Sequence, residues 1–140
     1  HYTAGLIRGL YKDAAEKIRV FHRGTDLAVF SPDAVAPERV EALRAAWGVP
    51  HHERIVLLAA RLTGWKGQAI LIEAASILAG RGLRDVAFIL AGDPQGRERY
   101  VKDLDAQIAK AGLGGVVRRV GHCIDMPAAL LAASAARAVA

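Results

Sequence analysis

The sequence has few of the residues on which several classes of protein depend. It contains a single cysteine, Cys123, so no disulfide can form within the chain and we expect a reducing compartment. The longest apolar runs, such as residues 55–60, are far shorter than the ~20 residues that a membrane-spanning helix needs. The first residues also lack the apolar core of a signal peptide. We therefore expect no transmembrane segment and a cytoplasmic location.

Motifs for several common chemistries are also missing. The histidines are scattered and only one cysteine accompanies them, so the usual spacings of zinc ligands do not occur. The sequence has no Gly-x-x-x-x-Gly-Lys-Ser/Thr loop, no Gly-x-Gly-x-x-Gly fingerprint and no Gly-x-Ser-x-Gly nucleophile elbow. We therefore predict no bound metal ion and no nucleotide site of either glycine-rich type.

The chain carries a net charge of +5, with 19 basic and 14 acidic residues. Apart from short pairs such as Arg118-Arg119, the basic residues are spread along the sequence. A nucleic-acid-binding face concentrates its positive charge, so this distribution argues against a nucleic acid partner. The same distribution is easier to reconcile with a small polyanionic ligand than with a nucleic acid.

Four short apolar runs predict β-strands, at residues 18–21, 55–60, 86–91 and 116–120. The second and third runs are apolar at every position, which is typical of strands buried on both faces of a parallel sheet. Helical periodicity fills residues 2–11, 37–47, 67–79, 97–111 and 125–133, with Asp125 as the N-cap of the last helix. This alternation predicts an α/β fold, a Rossmann-like parallel sheet with helices on both faces.

The last residues, 134–140, contain several alanines and one strand-forming valine. Alanine favours helix over strand. We therefore predict that this tail extends the preceding helix or frays, and that one edge of the sheet stays unpaired.

Ligands of open α/β sheets bind beyond the carboxyl ends of the strands, so the segments after the predicted strands are candidate sites. The segment after residue 60 is the most informative, because Arg61 and Lys66 come just before a predicted helix N-terminus and Gly67 lets the backbone approach a ligand closely. Two cations and a helix N-terminus suit a phosphate group. The alternative is a solvated loop with two ordinary surface cations.

The segments after the other predicted strands give weaker evidence for a ligand site. Gly92-Asp93-Pro94 is typical of a turn in which Asp93 bonds its own backbone, and Asp26 follows Gly24 as a plausible cap. A lone histidine such as His122 is more often structural or idle than a ligand, and Cys123 is expected to be a small buried residue.

Paired or aromatic residues elsewhere also have ordinary explanations. His51 and His52 lie in a polar segment and are expected to be exposed. Trp47 and Trp65 are expected to be packing residues rather than stacking platforms.

Taken in order, the motifs at the strand ends resemble a known family. They are Lys17–Asp26 (KIRVFHRGTD), Ala60-Arg61-Leu62 with Trp65-Lys66-Gly67, Leu90-Ala91-Gly92-Asp93, and Val120-Gly121-His122 with Asp125-Met126-Pro127. Together they resemble the family 4 retaining glycosyltransferases of the GT-B fold, over residues 1 to about 133. The resemblance implies an incomplete C-terminal half of that fold. Residues 1–12 would end an interdomain connection, and residues 13–140 would form part of the nucleotide-sugar-binding domain.

The resemblance also implies roles for individual residues. Arg61, Lys66 and Gly67 would bind the diphosphate of a nucleotide-diphosphate sugar, and the two cations would stabilise the leaving group without a metal ion. The backbone around Gly121, His122 and Cys123 would contact the nucleobase. The nucleotide sugar is the donor substrate, and no separate cofactor is implied.

The sequence departs from the family in two respects. The N-terminal acceptor domain of the family is absent, and so is the downstream helix that bears two glutamates. We therefore expect no catalytic residue in this chain and no sugar transfer by the chain alone. The parent protein would be a glycosyltransferase of cell-surface polysaccharide synthesis, located in the cytoplasm at the inner face of the membrane. The alternative is a non-enzymatic α/β module that binds a nucleotide or a protein partner.

Overall fold

A three-stranded parallel sheet in the order β1-β2-β3 forms the centre of the structure, a computed structural model that describes residues 2–134. The strands are β1 (Arg54–Ala59), β2 (Val86–Ala91) and β3 (Val117–Gly121). The pairing of β2 with β3 is irregular between Leu90 and Ala91. The predicted parallel sheet is confirmed for three of its four strands, each within one residue of the predicted bounds.

Helices fill the segments around these strands. They are α1 (Tyr2–Leu10), α2 (Leu27–Phe30), α3 (Pro37–Ala46), α4 (Gln68–Gly80), α5 (Glu98–Lys110) and α6 (Met126–Ser134). Short 3-10 turns occur at Lys12–Lys17, Pro32–Ala34 and Gly64–Lys66. All five predicted helices are present, and the short α2 is an additional one. Helix α4 begins after Gly67 because this residue adopts a left-handed φ of 82° and acts as the N-cap.

The central strand β2 contributes side chains to two separate cores. Ala87, Ile89 and Ala91 pack on one face, and Phe88 and Leu90 pack on the other. The first core is closed by α3 and α6, which contribute Val40, Ala128, Ala129 and Ala132. The second core is closed by α4 and α5, which contribute Ile72, Ala75, Leu104 and Ile108. Helices on both faces of the sheet are therefore confirmed.

The strand predicted at residues 18–21 is wrong. This segment is irregular, with Val20 at 40% and Phe21 at 87% exposure. A strand needs a neighbouring strand to accept its backbone hydrogen bonds, and in the described part of the chain this segment has none. An apolar run of four residues carries no information about such a partner.

The predicted behaviour of the tail falls mostly on residues 135–140, which lie outside the described residues. Helix α6 ends at Ser134. Within residues 2–134, β1 and β3 each pair only with β2, so each of these strands has one edge without a strand partner.

A bidentate ion pair joins α3 to the N-terminus of α6. Arg39 donates from Nε to Asp125 Oδ2 at 2.9 Å and from a terminal nitrogen to Asp125 Oδ1 at 2.7 Å. The same carboxylate accepts the Ala128 amide at 3.1 Å, which confirms Asp125 as the predicted N-cap. The Arg39 guanidinium, and next the Ala128 amide, hold the pKa of the Asp125 carboxyl below its usual range. One carboxylate therefore both begins α6 and ties it to α3.

We predict that Asp125→Asn and Arg39→Met both lower stability at neutral pH, since each removes the ion pair while asparagine still provides an N-cap acceptor. The folded pKa of Asp125 is lowered, so the contribution of the pair is present above the ordinary carboxyl pKa of about 3.9 and is lost as the pH falls through the folded value. The difference in urea midpoint between wild type and Asp125→Asn should therefore shrink below about pH 4. A difference that stays constant into acid would contradict this assignment.

Candidate functional site

The carboxyl ends of the three strands are joined by backbone hydrogen bonds that continue into the following loops. The Ala60 amide donates to the Ala91 carbonyl at 2.9 Å, and the Leu62 amide donates to the Asp93 carbonyl at 3.1 Å. On the other side of β2, the Gly92 amide donates to the Gly121 carbonyl at 2.7 Å. Three of the four predicted strand-end segments therefore meet at one edge of the sheet.

Gly92 is required at this junction by the closeness of the neighbouring chain. A Cβ atom at this position would lie 1.8 Å from the Ala60 carbonyl oxygen, and that oxygen belongs to the backbone. A side chain here would therefore push the loop after β1 away from the loop after β2. Asp93 then accepts the Gln95 amide at 2.6 Å, which confirms the predicted turn in which this side chain bonds nearby backbone.

Arg61 and Lys66 lie at the two ends of the loop that leads from β1 to α4, and both side chains are exposed. The Arg61 guanidinium is 3.4 Å from Gln95 Oε1, so it extends towards the loop after β2. Lys66 ends the 3-10 turn Gly64–Lys66, and Gly67 follows it directly at the N-terminus of α4. The loop thus presents two cations beside the first amides of a helix, which lack partners within the helix itself.

The same loop contains buried polar atoms that the sequence did not single out. Gln68 is fully buried and donates from Nε2 to the Arg61 carbonyl at 2.9 Å, while its Oε1 accepts the Tyr100 hydroxyl at 3.3 Å. Thr63 is 2% exposed, and its hydroxyl has no hydrogen-bond partner among the described residues. A polar residue directly after Gly67, before the apolar run Ala69–Ile72, was the available signal for Gln68.

The segment after β3 offers mainly backbone to a ligand. Gly121 has a left-handed φ of 72°, and the His122 side chain is exposed. Cys123 was expected to be buried, but it is only partly buried and packs against the edge of one core. Burial raises the pKa of its thiol.

Two expectations about aromatic and turn residues meet different outcomes. Trp47 is buried as predicted, but the packing role predicted for Trp65 is wrong, because its side chain is 74% exposed. Trp65 lies on the 3-10 turn and points away from both cores, a position that periodicity cannot specify. Asp26 caps the short α2 by accepting the Ala28 amide at 2.9 Å, as predicted.

A cavity of about 610 Å³ lies at the opposite end of β1, where Glu41, Arg44, His51, His52 and Asp85 are among the lining residues. Its two histidines each lie near a carboxylate. His51 lies 3.1 Å from Glu41, and His52 lies 3.8 Å from Asp85. Both histidines are largely exposed, as predicted. The cavity sits at the amino end of the strand, away from the edge where the loops converge.

The basic pair on β3 is neutralised by acidic neighbours. Arg118 lies 3.1 Å from Glu53, and Arg119 donates to Asp105 at 2.7 Å. Within residues 2–134, no group of three or more His, Cys, Asp or Glu side chains could hold a metal ion. No helix in the same range combines the length and the apolar character needed to cross a membrane.

Comparison with known proteins identifies the family. Residues 39–138 match the family model "Glycosyl transferases group 1". A D-inositol 3-phosphate glycosyltransferase of Jonesia denitrificans is 29% identical over 113 residues, which cover 79% of this chain and 26% of that relative.

Solved structures share the fold. The crystal structure of a glycosyltransferase from Rickettsia africae ESF-5 has a TM-score of 0.79 at 28% identity, covering 91% of this chain and 33% of its own. Anabaena Alr3699/HepE in complex with UDP and glucose has a TM-score of 0.71 at 34% identity, covering 84% of this chain and 30% of its own. The chain therefore spans about a quarter of the curated relative and about a third of the solved ones.

The family model covers most of this chain, and the solved glycosyltransferase structures share its fold over most of its length. The chain belongs to the group 1 glycosyltransferases and has the α/β architecture of their GT-B fold.

Proposed function

We propose that this chain is the donor-binding part of a retaining, family 4 glycosyltransferase that transfers a sugar from a nucleotide-diphosphate sugar to an acceptor. One observation carries the proposal. Arg61 leaves the carboxyl end of β1 at the edge where three loops are joined by hydrogen bonds, within the region that matches the family. Ligands of open α/β sheets bind at such an edge.

The diphosphate would be bound by Arg61, Lys66 and Gly67. When the bond between the anomeric carbon and the diphosphate breaks, negative charge builds up on the departing oxygen. Arginine offers a planar pair of donors and lysine a mobile charge, and no carboxylate lies between residues 61 and 67 to compete with them. Two protein cations supply the charge that a metal ion would otherwise provide, so we propose that donor binding is independent of metals.

The nucleobase would lie against the backbone of Gly121, His122 and Cys123. This segment is joined to Gly92 by a hydrogen bond and therefore borders the loop that follows β2. The complex of the Anabaena relative with UDP makes uridine diphosphate the appropriate first probe.

The rest of the enzyme would come from chain segments that this sequence does not contain. We propose that residues 1–12 end the connection from an acceptor-binding domain, that residues 13–140 are part of the donor domain, and that glutamates elsewhere in the parent contact the sugar and ribose. A role in cell-surface polysaccharide synthesis at the inner face of the membrane stays a prediction for the parent protein.

Uridine diphosphate should bind the isolated chain weakly, and chelation of metals with EDTA should leave the affinity unchanged. Arg61→Ala should weaken binding by about 1.5–3 kcal/mol, the value typical of hydrogen bonds to charged groups. Calorimetry measures the affinity. Quenching of tryptophan emission provides a second measurement, because Trp65 is exposed next to Lys66 while Trp47 is buried.

Arg54→Ala is the matched control, since Arg54 is an exposed arginine at the opposite end of the same strand. Its affinity for UDP should equal that of wild type. Equal affinities for wild type and Arg61→Ala would contradict the diphosphate site, and loss of binding with EDTA would indicate a metal-dependent one.

Purified chain should transfer no sugar from any common nucleotide sugar to water or to an added acceptor, because no catalytic residue is assigned to it. Product formation would be followed by release of UDP from UDP-sugars in a coupled assay, with the donor alone as the blank. Turnover that disappears in Arg61→Ala would show that the chain itself contains a complete catalytic site.

A further inference from the structure

Gln68, the first residue of α4, is an unusual residue to bury. Its side chain is 0% exposed, although the start of a surface helix offers easy access to solvent. Burying an amide is unfavourable unless both of its polar atoms find partners. Gln68 finds two, the carbonyl of Arg61 at 2.9 Å and the hydroxyl of Tyr100 at 3.3 Å.

These contacts close the loop after β1 into a ring that runs from Arg61 to Gln68. The backbone on both sides of Arg61 is held in place, because the Ala60 amide donates to the Ala91 carbonyl at the end of β2, the Leu62 amide donates to the Asp93 carbonyl in the loop after it, and the Arg61 carbonyl accepts from Gln68. The Arg61 guanidinium remains exposed. A backbone that is already fixed reduces the entropy that the arginine loses when its exposed guanidinium binds an anion.

We infer that Gln68 is a positioning residue that sets the direction in which Arg61 leaves the sheet, and that Tyr100 orients Gln68 in turn. The inference rests on the proposed function of Arg61 in diphosphate binding. Gln68 touches no substrate in this arrangement and acts through the backbone of Arg61.

The test is a double-mutant cycle on the affinity for UDP, with Gln68→Met, Arg61→Ala and the double variant. Methionine keeps the length and apolar stem of glutamine but cannot donate to the Arg61 carbonyl. We expect Gln68→Met to weaken UDP binding about fivefold when Arg61 is present, the value of one typical hydrogen bond, and to have no further effect in the Arg61→Ala background.

Gln107→Met is the matched control. Gln107 also bridges α5 and α4, donating from Nε2 to the Ala69 carbonyl at 3.1 Å, one residue beyond Gln68, but it makes no contact with the loop. This variant should lower the melting temperature and leave the UDP affinity at the wild-type value. The comparison separates positioning of Arg61 from a general effect on stability.

The possible outcomes are distinct. If Arg61→Ala binds UDP as tightly as wild type, the proposed function and this inference both fail. If Arg61→Ala weakens binding but Gln68→Met does not, or if Gln68→Met weakens it equally in both backgrounds, only the inference is overturned. Should Gln68→Met fail to fold, Tyr100→Phe decides. It should weaken binding about twofold with Arg61 present and not at all in the Arg61→Ala background, and any other result overturns the inference.

Discussion

The backbone hydrogen bonds between β1, β2 and β3 do not stop where the strands end, and the rest of the candidate site depends on that continuation. Beyond the end of β1, Ala60 donates to the last residue of β2 and Leu62 to Asp93 in the loop after it, and Gly92 donates to the last residue of β3. The contact is close enough that Gly92 has no room for a side chain. Loops that are otherwise exposed to solvent are therefore held by the same interaction that holds the sheet.

Burial of β2 on both faces explains the positions of the helices that border the candidate site. Alternate side chains of this strand pack against α3 and α6 on one face and against α4 and α5 on the other. The turn from β1 into α4 must cross the carboxyl edge of the sheet to reach its side, and it takes Lys66 and Gly67 along that edge. The positions of Arg61 and Lys66 thus follow from hydrophobic packing, which does not depend on their charges.

Polar contacts then hold the segments that hydrophobic packing alone does not fix. Asp125 and Arg39 fix the start of α6, which follows the segment after β3, and Gln68 fixes the loop after β1. In each case a side chain with several hydrogen-bonding atoms joins backbone groups or elements that are distant in the sequence. The residues proposed to bind the donor, Arg61 and Lys66, are by contrast exposed, so their charges stay available to a ligand.

Elements whose signals are local could be predicted from the amino-acid sequence alone. Fully apolar runs specified β1 and β2, and helical periodicity with Pro37, Gly67 and Asp125 at the helix starts specified the helices, because burial and capping leave a pattern in neighbouring residues. The order of strand ends also predicted that Arg61 follows β1 at the edge where the strand ends meet. Features that need a partner from elsewhere in the chain were visible only in the folded protein. Among residues 2–134, residues 18–21 have no strand beside them and Trp65 has no core to enter. Gln68 is buried because Arg61 and Tyr100 offer its amide two bonds. Such partners are set by contacts between distant residues, which no local pattern records.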